Sequence, residues 1–335
     1  MKTVLKIAAA LVALVLVVVL GALTWLTLRK PAQRPPSTEV VERTPERVAR
    51  GEYIVHHLAG CLGCHSDYIA DRYGMPLKPG TEGQGGYVFD EKVGFPGTVC
   101  AQNITPDAET GVGAWTDGEL MRAIREGVAK NGRALFPMMP YTYYRAMSDA
   151  DVKSVVAYLR ALQPIKHQVP LGKIKFPVNL MIKFVPKPLE GPVTAPGDAS
   201  DHLGYGKYLV TVGGCMECHT QHDDKGQLVP GREFAGGFVM EGPWGKVVSA
   251  NLTPHPDTFM GQATKEAFVA RIKAFAGMGA DDVPVADPGR NTIMPWRDFA
   301  GLTVKDLEAI YDYLKTLKPI ENKIVPFPDA RNSKG

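Results

Sequence analysis

Cys61-Leu62-Gly63-Cys64-His65 and Cys215-Met216-Glu217-Cys218-His219 carry one pattern twice, two thiols three positions apart with an imidazole directly after the second. CxxCH is the attachment pattern for a c-type haem. Two thiols about one helical turn apart can each form a thioether to a porphyrin vinyl group, and the next residue then aims its imidazole at the iron. A shuffled chain of this composition gives about two chance matches in a thousand, so two in one chain are on the order of one in a million. A zinc site made from both CxxC pairs would need them close in the fold, and 154 residues separate them. A thioredoxin-like motif needs a strand before it, whereas a helix-like stretch precedes each pair here. The expected cofactors are therefore two covalently attached haems c, held by Cys61, Cys64, His65, Cys215, Cys218 and His219, with His65 and His219 as proximal metal ligands.

Outward from the motifs, the two halves repeat. Asn103-Ile104-Thr105-Pro106 matches Asn251-Leu252-Thr253-Pro254, and Gly86-Tyr87-Val88-Phe89 matches Gly237-Phe238-Val239-Met240. Residues 116–119 read as a capping box opening a helix with Leu120, Ile124 and Val128 on one face, and its counterpart starts at Thr264 with Phe268 and Ile272. Each half closes with a clearer helix, over 148–162 and 303–317, stopped by Pro164 and Pro319. A leading helix precedes each motif, over 45–59 and 203–212, the first opened by Thr44 and Pro45. Residues 166–200 carry six prolines and read as a semi-rigid connector whose apolar 178–185 packs on a domain or meets a membrane surface.

A haem that only passes electrons keeps both axial positions filled, and a methionine opposite the histidine raises its potential. Met139-Pro140-Tyr141 begins 74 residues after His65, and Met294-Pro295-Trp296 begins 75 after His219. Met139 and Met294 are thus the expected second metal ligands, with Met138 and Met278 as their rivals. Cys100 is left over, and a buried packing role is expected for it. His56, His57, His167, His202, His222 and His255 have no counterpart in the other half and read as solvated or hydrogen-bonded structural residues. Trp115 and Trp296 read as crevice or core aromatics.

Residues 7–28 hold no charge, flanked by Lys2 and Lys6 on one side and Arg29 and Lys30 on the other. That length spans a bilayer as a helix and exceeds the apolar region of a cleaved signal. Basic residues flank both ends, so orientation follows instead from haem attachment, which takes place outside the cytoplasm. The expected topology is a single pass through the cytoplasmic membrane, with the haem domains in the periplasm. Lysine and arginine number 38 against 35 acidic residues, with no run of five like charges, and no nucleic-acid partner is expected.

The chain resembles the cytochrome c subunits of membrane-bound alcohol, gluconate and related dehydrogenase complexes. The likeness lies in residues 103–107, 110–117, 137–141 and 147–149 and extends over most of 50–319. In that family the methionine before the Pro-Tyr pair is the haem ligand, which by resemblance supports Met139 and, less directly, Met294. The resemblance implies electron transfer from a partner dehydrogenase toward ubiquinone or an oxidase. Members of the family usually carry three CxxCH motifs, so this chain would be a two-haem form.

The expected fold is all-α, two tandem class I cytochrome c domains after an N-terminal transmembrane helix. Residues 1–30 would be the anchor, 31–44 a linker, 45–165 the first domain, 166–200 the proline-rich linker and 201–325 the second domain. The expected function is that of a dihaem carrier, not an enzyme, taking electrons from a dehydrogenase or quinol-oxidising partner toward a terminal acceptor. Two alternatives stand beside it. One is a dihaem enzyme of the peroxidase or thiosulfate-oxidising type, which would need an open iron or an unusual ligand such as Cys100. The other is a tethered cytochrome subunit of a respiratory supercomplex.

Overall fold

The computed structural model describes residues 1–197, 200–224, 226–242, 245–286 and 290–328, so Asp198 and Ala199, at the end of the expected linker, lie outside the described residues. It is mostly helical. Helix α1 (Lys2–Leu28) buries none of its residues against the rest of the chain. Among the described residues it is the one helix long and apolar enough to cross a membrane.

In the first half, α2 (Pro45–Tyr53) starts at Thr44, whose hydroxyl accepts from the Arg47 N–H, and it runs on into a π-helical turn over Ile54–Leu58. The first motif is α3 (Leu62–His65). A two-stranded antiparallel ribbon of β1 (Val88–Phe89) and β2 (Val99–Cys100) follows. Next come α4 (Asp117–Glu126), opened by the expected Thr116–Glu119 capping box, α5 (Tyr141–Tyr144) and α6 (Asp149–Ala161), capped by Ser148. Residues 31–44, expected as a linker, instead pack along α4. Val41 is buried with its N–H on Asp117 Oδ2 at 2.9 Å, and Arg34 pairs with Glu126 at 2.8 Å.

A short α7 (Val178–Met181) leads to the second half. There α8 (His202–Val212) and α9 (Cys215–Cys218) precede the ribbon of β3 (Val239–Gly242) and β4 (Gly245–Val248). Helices α10 (Phe259–Gln262), α11 (Lys265–Lys273), α12 (Trp296–Ala300) and α13 (Val304–Lys315) complete it.

The core of each half is the crossing of its leading helix with its closing one. At the crossing a glycine is required. A Cβ on Gly51 would lie 1.9 Å from the Ser154 carbonyl oxygen, and one on Gly206 would lie 2.1 Å from that of Ala309, so only backbone meeting backbone fits. Apolar residues of both halves form one cluster, including Ile54, Leu58, Val152 and Val156 with Leu209, Val212, Leu307 and Leu314.

The halves are clasped reciprocally. Tyr53 donates its hydroxyl to Asp306 and accepts from the Thr303 N–H at 3.0 Å, while Tyr208 donates to Asp151 at 2.6 Å and accepts from the Ser148 N–H at 3.2 Å. Each tyrosine thus reaches from one leading helix to the N-terminus of the other half's closing helix. A second seam joins the Gly74 N–H to Asn291 Oδ1 at 2.9 Å and the Tyr73 N–H to the Pro284 carbonyl at 3.0 Å.

Candidate functional site

The chain enters both motifs the same way. Gly60 and Gly214 take φ values of 59° and 64°, a left-handed conformation that ends the leading helix and turns the backbone toward the first thiol. One helical turn follows, in which the N–H of His65 bonds the Cys61 carbonyl and that of His219 bonds the Cys215 carbonyl. Both imidazoles are then fixed by a second contact. His65 Nδ1–H donates to the Gln102 carbonyl at 2.6 Å, and His219 Nδ1–H donates to the Ala250 carbonyl at 2.8 Å. A carbonyl oxygen can only accept, so the ring proton sits on Nδ1 and the lone pair of Nε2 is left for another partner. Burial holds both imidazoles below their ordinary pKa, against the weaker upward pull of the carbonyl, and so favours the neutral ring a metal requires.

Gln102 and Ala250 stand immediately before the two Asn-x-Thr-Pro segments. Asn103 Oδ1 accepts from the Thr105 N–H at 2.9 Å and the Thr105 hydroxyl at 2.7 Å, while its Nδ2 donates to the Ile165 carbonyl at 2.7 Å. Asn251 repeats the set on Thr253 and the Ile320 carbonyl, at 2.9, 2.7 and 2.8 Å. The repeated segment thereby ties down the carbonyl that orients each histidine. Sequence reasoning found the repeat but missed the two carbonyls it positions, whose only signal was their place beside it.

No two of the five cysteines are joined in a disulfide. Cys61 and Cys215 lie half-buried against the core. The Tyr144 hydroxyl, bonded to the Ala59 carbonyl at 2.7 Å, lies beside Cys61 and Cys64. That contact sets α5 against the first motif, and Met139 lies two residues before α5. Met139 is half-buried against the core, whereas Met138 is 40% exposed. The carbonyls of Met139 and Met294 accept from the Tyr141 and Trp296 N–H groups at 2.7 and 2.8 Å, so the two methionines occupy the same turn in their halves. Met278 lies beside Arg297, whose guanidinium donates to its carbonyl at 3.0 and 2.7 Å. Trp296 has its Nε1–H buried and turned toward the Tyr73 hydroxyl.

The other sequence candidates fall into place around this frame. Cys100, expected in the core, is half-buried on β2 and lies outside the main cluster, because a two-residue strand in a surface ribbon covers it from one side only. His56, His57, His167, His202 and His222 bond to Tyr158, the Asp298 carbonyl, the Gln84 carbonyl, Asp312 and Glu217, and His255 accepts from the Asp257 N–H. Trp115 packs half-buried on the core, its carbonyl accepting from Arg160. Among the described residues no three or more His, Cys, Asp or Glu side chains gather to hold a metal ion by themselves. Each motif instead offers a thiol pair and an imidazole nitrogen, a set suited to covalent haem.

A mostly helical fold around two such motifs defines a protein of covalently bound haem that moves electrons. A cytochrome c family model matches residues 204–318. A protein named diheme cytochrome c-type, from Cereibacter sphaeroides, is 30% identical over 317 residues, covering 92% of this chain and 97% of that one. The cytochrome c subunit of a quinone-dependent alcohol dehydrogenase from Gluconobacter oxydans is 28% identical over 294 residues, 82% of this chain and 55% of the relative. A nicotinate dehydrogenase subunit from Pseudomonas putida is 29% identical over 310 residues, 89% of this chain but 23% of its own length. The chain therefore spans about half the alcohol dehydrogenase relative and about a quarter of the nicotinate dehydrogenase one. The chain belongs to the cytochrome c family, as an electron-transfer protein rather than an enzyme with its own substrate.

Proposed function

We propose that the chain is a dihaem, membrane-anchored electron carrier built of two class I cytochrome c domains, bounded as the sequence suggests but with residues 31–44 belonging to the first. Cys61 with Cys64 and Cys215 with Cys218 form the thioethers. His65 and His219 would hold the iron through Nε2, and Met139 and Met294 through their sulfur. When bound, haem c supplies a one-electron couple. The protein's share is to hold each imidazole neutral and aimed, and to keep the site dry so that little reorganises when the charge changes.

The observation that carries this reading is the repetition, contact for contact, of the histidine-to-carbonyl bond together with its Asn-x-Thr-Pro support. The exposure of Met138 favours Met139 as the ligand of its half. A relay between the sites is supported by their closeness. Tyr143, on α5, donates to Glu217 inside the second motif at 2.6 Å.

A pyridine haemochrome assay on the purified protein should count two haems per chain. Replacing Met139 or Met294 by alanine should each remove one of two ferric near-infrared sulfur-to-iron bands, and survival of both bands in the double variant would sink the assignment. Rapid carbon monoxide binding to the reduced wild type would favour the enzyme alternative. The relatives named above make a membrane-bound dehydrogenase the proposed electron donor, with the domains on the periplasmic side of the cytoplasmic membrane and residues 7–28 in the bilayer. Isolation in mild detergent and identification of co-purifying chains separates that partner from a quinol-oxidising complex.

A further inference from the structure

The connector between the halves has an arrangement that a plain spacer does not need. Over residues 166–189 it carries no acidic residue and five lysines, Lys166, Lys173, Lys175, Lys183 and Lys187, of which Lys166 and Lys175 pair with Glu109 and Glu91. Between those lysines large apolar side chains face outward, with Phe176 68%, Met181 61%, Phe184 47% and Leu171 65% exposed. Exposed apolar groups interleaved with lysine are the composition of a segment lying in a bilayer interface, where the apolar groups enter the acyl boundary and the ammonium groups meet anionic headgroups.

The position of this segment says which surface covers it. Lys183 Nζ donates to the carbonyls of Leu26 and Thr27 at 3.1 and 2.6 Å, satisfying the free C-terminal end of α1. The Arg29 guanidinium lies 5.0 Å from the ring centre of Trp25 and 4.5 Å from that of Phe184, so one cation bridges an aromatic of α1 and one of the connector. A tryptophan and flanking cations at the end of an apolar span mark headgroup depth. On its other side the segment is pinned to the first half, with the Thr98 N–H on the Lys173 carbonyl at 3.0 Å and the Lys175 N–H on the Pro96 carbonyl at 2.8 Å. Phe184, Val185 and Lys187 also share a cleft with Tyr141, Thr142 and Arg145, which follow Met139.

We infer that residues 176–184 form a second membrane contact, lying in the headgroup interface of an anionic bilayer beside the exit of α1 and holding the Tyr141–Arg145 face of the first half toward the membrane. The inference rests on the proposed reading of α1 as a membrane anchor, and the two can fail separately.

The test uses the full haem-loaded chain in vesicles of phosphatidylcholine and phosphatidylglycerol containing a phospholipid with a diazirine high in its acyl chain. Irradiation followed by peptide mass mapping should give lipid adducts on both α1 and residues 174–187. Adducts on α1 with none on 174–187 overturn the inference and leave the anchor standing, including the case in which a protein partner covers the patch. Absence of adducts from α1 itself overturns both. The double substitution Phe176→Ser with Met181→Ser changes only exposed side chains. It should lower the adduct yield on 174–187 about fivefold while the α1 yield and the haem spectrum stay unchanged; an unaltered yield on 174–187 overturns the inference.

Discussion

The two halves share a plan and differ at a few places, and the differences show which parts of the plan are rigid. Ten positions separate Gly51 from Cys61 but nine separate Gly206 from Cys215. The extra residue is absorbed as the π-helical turn, in which the N–H of Ala59 bonds the Ile54 carbonyl and that of Cys61 bonds the Val55 carbonyl. The second half keeps a regular α-helix to its end, with the Gly213 N–H on the Leu209 carbonyl. Both ends of the leading helix are held, by the glycine at the crossing and by the thiol at the motif, so an added residue must be taken up between them. A second difference sits at Gly83 and Phe234, both left-handed with φ of 80° and 61°. Each N–H donates to a hydroxyl, Ser66 or Thr220, and each carbonyl accepts from the residue after the asparagine, Ile104 or Leu252. The turn is therefore imposed by its hydrogen bonds whatever the side chain. A phenylalanine there carries a strain of roughly 1–2 kcal/mol, offset by burying its ring.

The largest test of the shared plan is at the crossings. Gly51→Val or Gly206→Val should each destabilise the fold by at least about 3 kcal/mol, read from the denaturant midpoint, because the closing helix has to move away. If either variant unfolds like wild type, backbone contact is not what sets that crossing.

Position 298 separates the halves by charge, since its counterpart in the first half is Tyr143. Burial raises the Asp298 carboxyl to about 6. The native state thus binds this proton more tightly than the unfolded chain does. Its cost to stability is absent below the ordinary carboxylate pKa, grows as pH rises toward 6, and is fully present above. The cost is about 3 kcal/mol, and Asp298→Asn should flatten that part of the stability–pH curve. A profile unchanged by the substitution would show that the carboxyl ionises freely.

The clasp offers a finer comparison. Without Tyr208, Asp151 still holds the Arg50 guanidinium at 2.9 and 3.0 Å, whereas without Tyr53 the partner left to Asp306 on the leading helix is the neutral Tyr205 hydroxyl at 3.0 Å. Tyr53→Phe should therefore cost about 2 kcal/mol and Tyr208→Phe about 1 kcal/mol, with urea titration of both deciding the order. The smallest effect is expected from Gly83→Ala, about 1 kcal/mol of destabilisation by thermal melting, the steric cost of a Cβ in the left-handed turn.

Much of this was legible in the sequence because it is written in local chemistry. The motifs, the caps at Thr44 and Thr116, and the paired Met-Pro turns need only short-range spacing to be recognised. The carbonyls of Gln102 and Ala250 were not legible, because any residue supplies a carbonyl and only the fold says which one meets the imidazole. Nor was the clasp, since Tyr53 and Asp306 are 253 positions apart and neither is unusual where it stands. Residues 31–44 looked like a spacer because their proline content hides one buried valine and one N–H bonded to Asp117.

The reciprocal clasp has a further consequence, for it has the form of an isologous two-fold contact in which one patch serves as both key and lock. Each half carries the tyrosine that reaches out and the aspartate that receives its counterpart. A stretch of chain holding either half would bring with it everything required to recognise another copy of itself. The covalent tether between the halves then works chiefly as a guarantee of concentration, favouring the internal pairing over a partner from a neighbouring molecule.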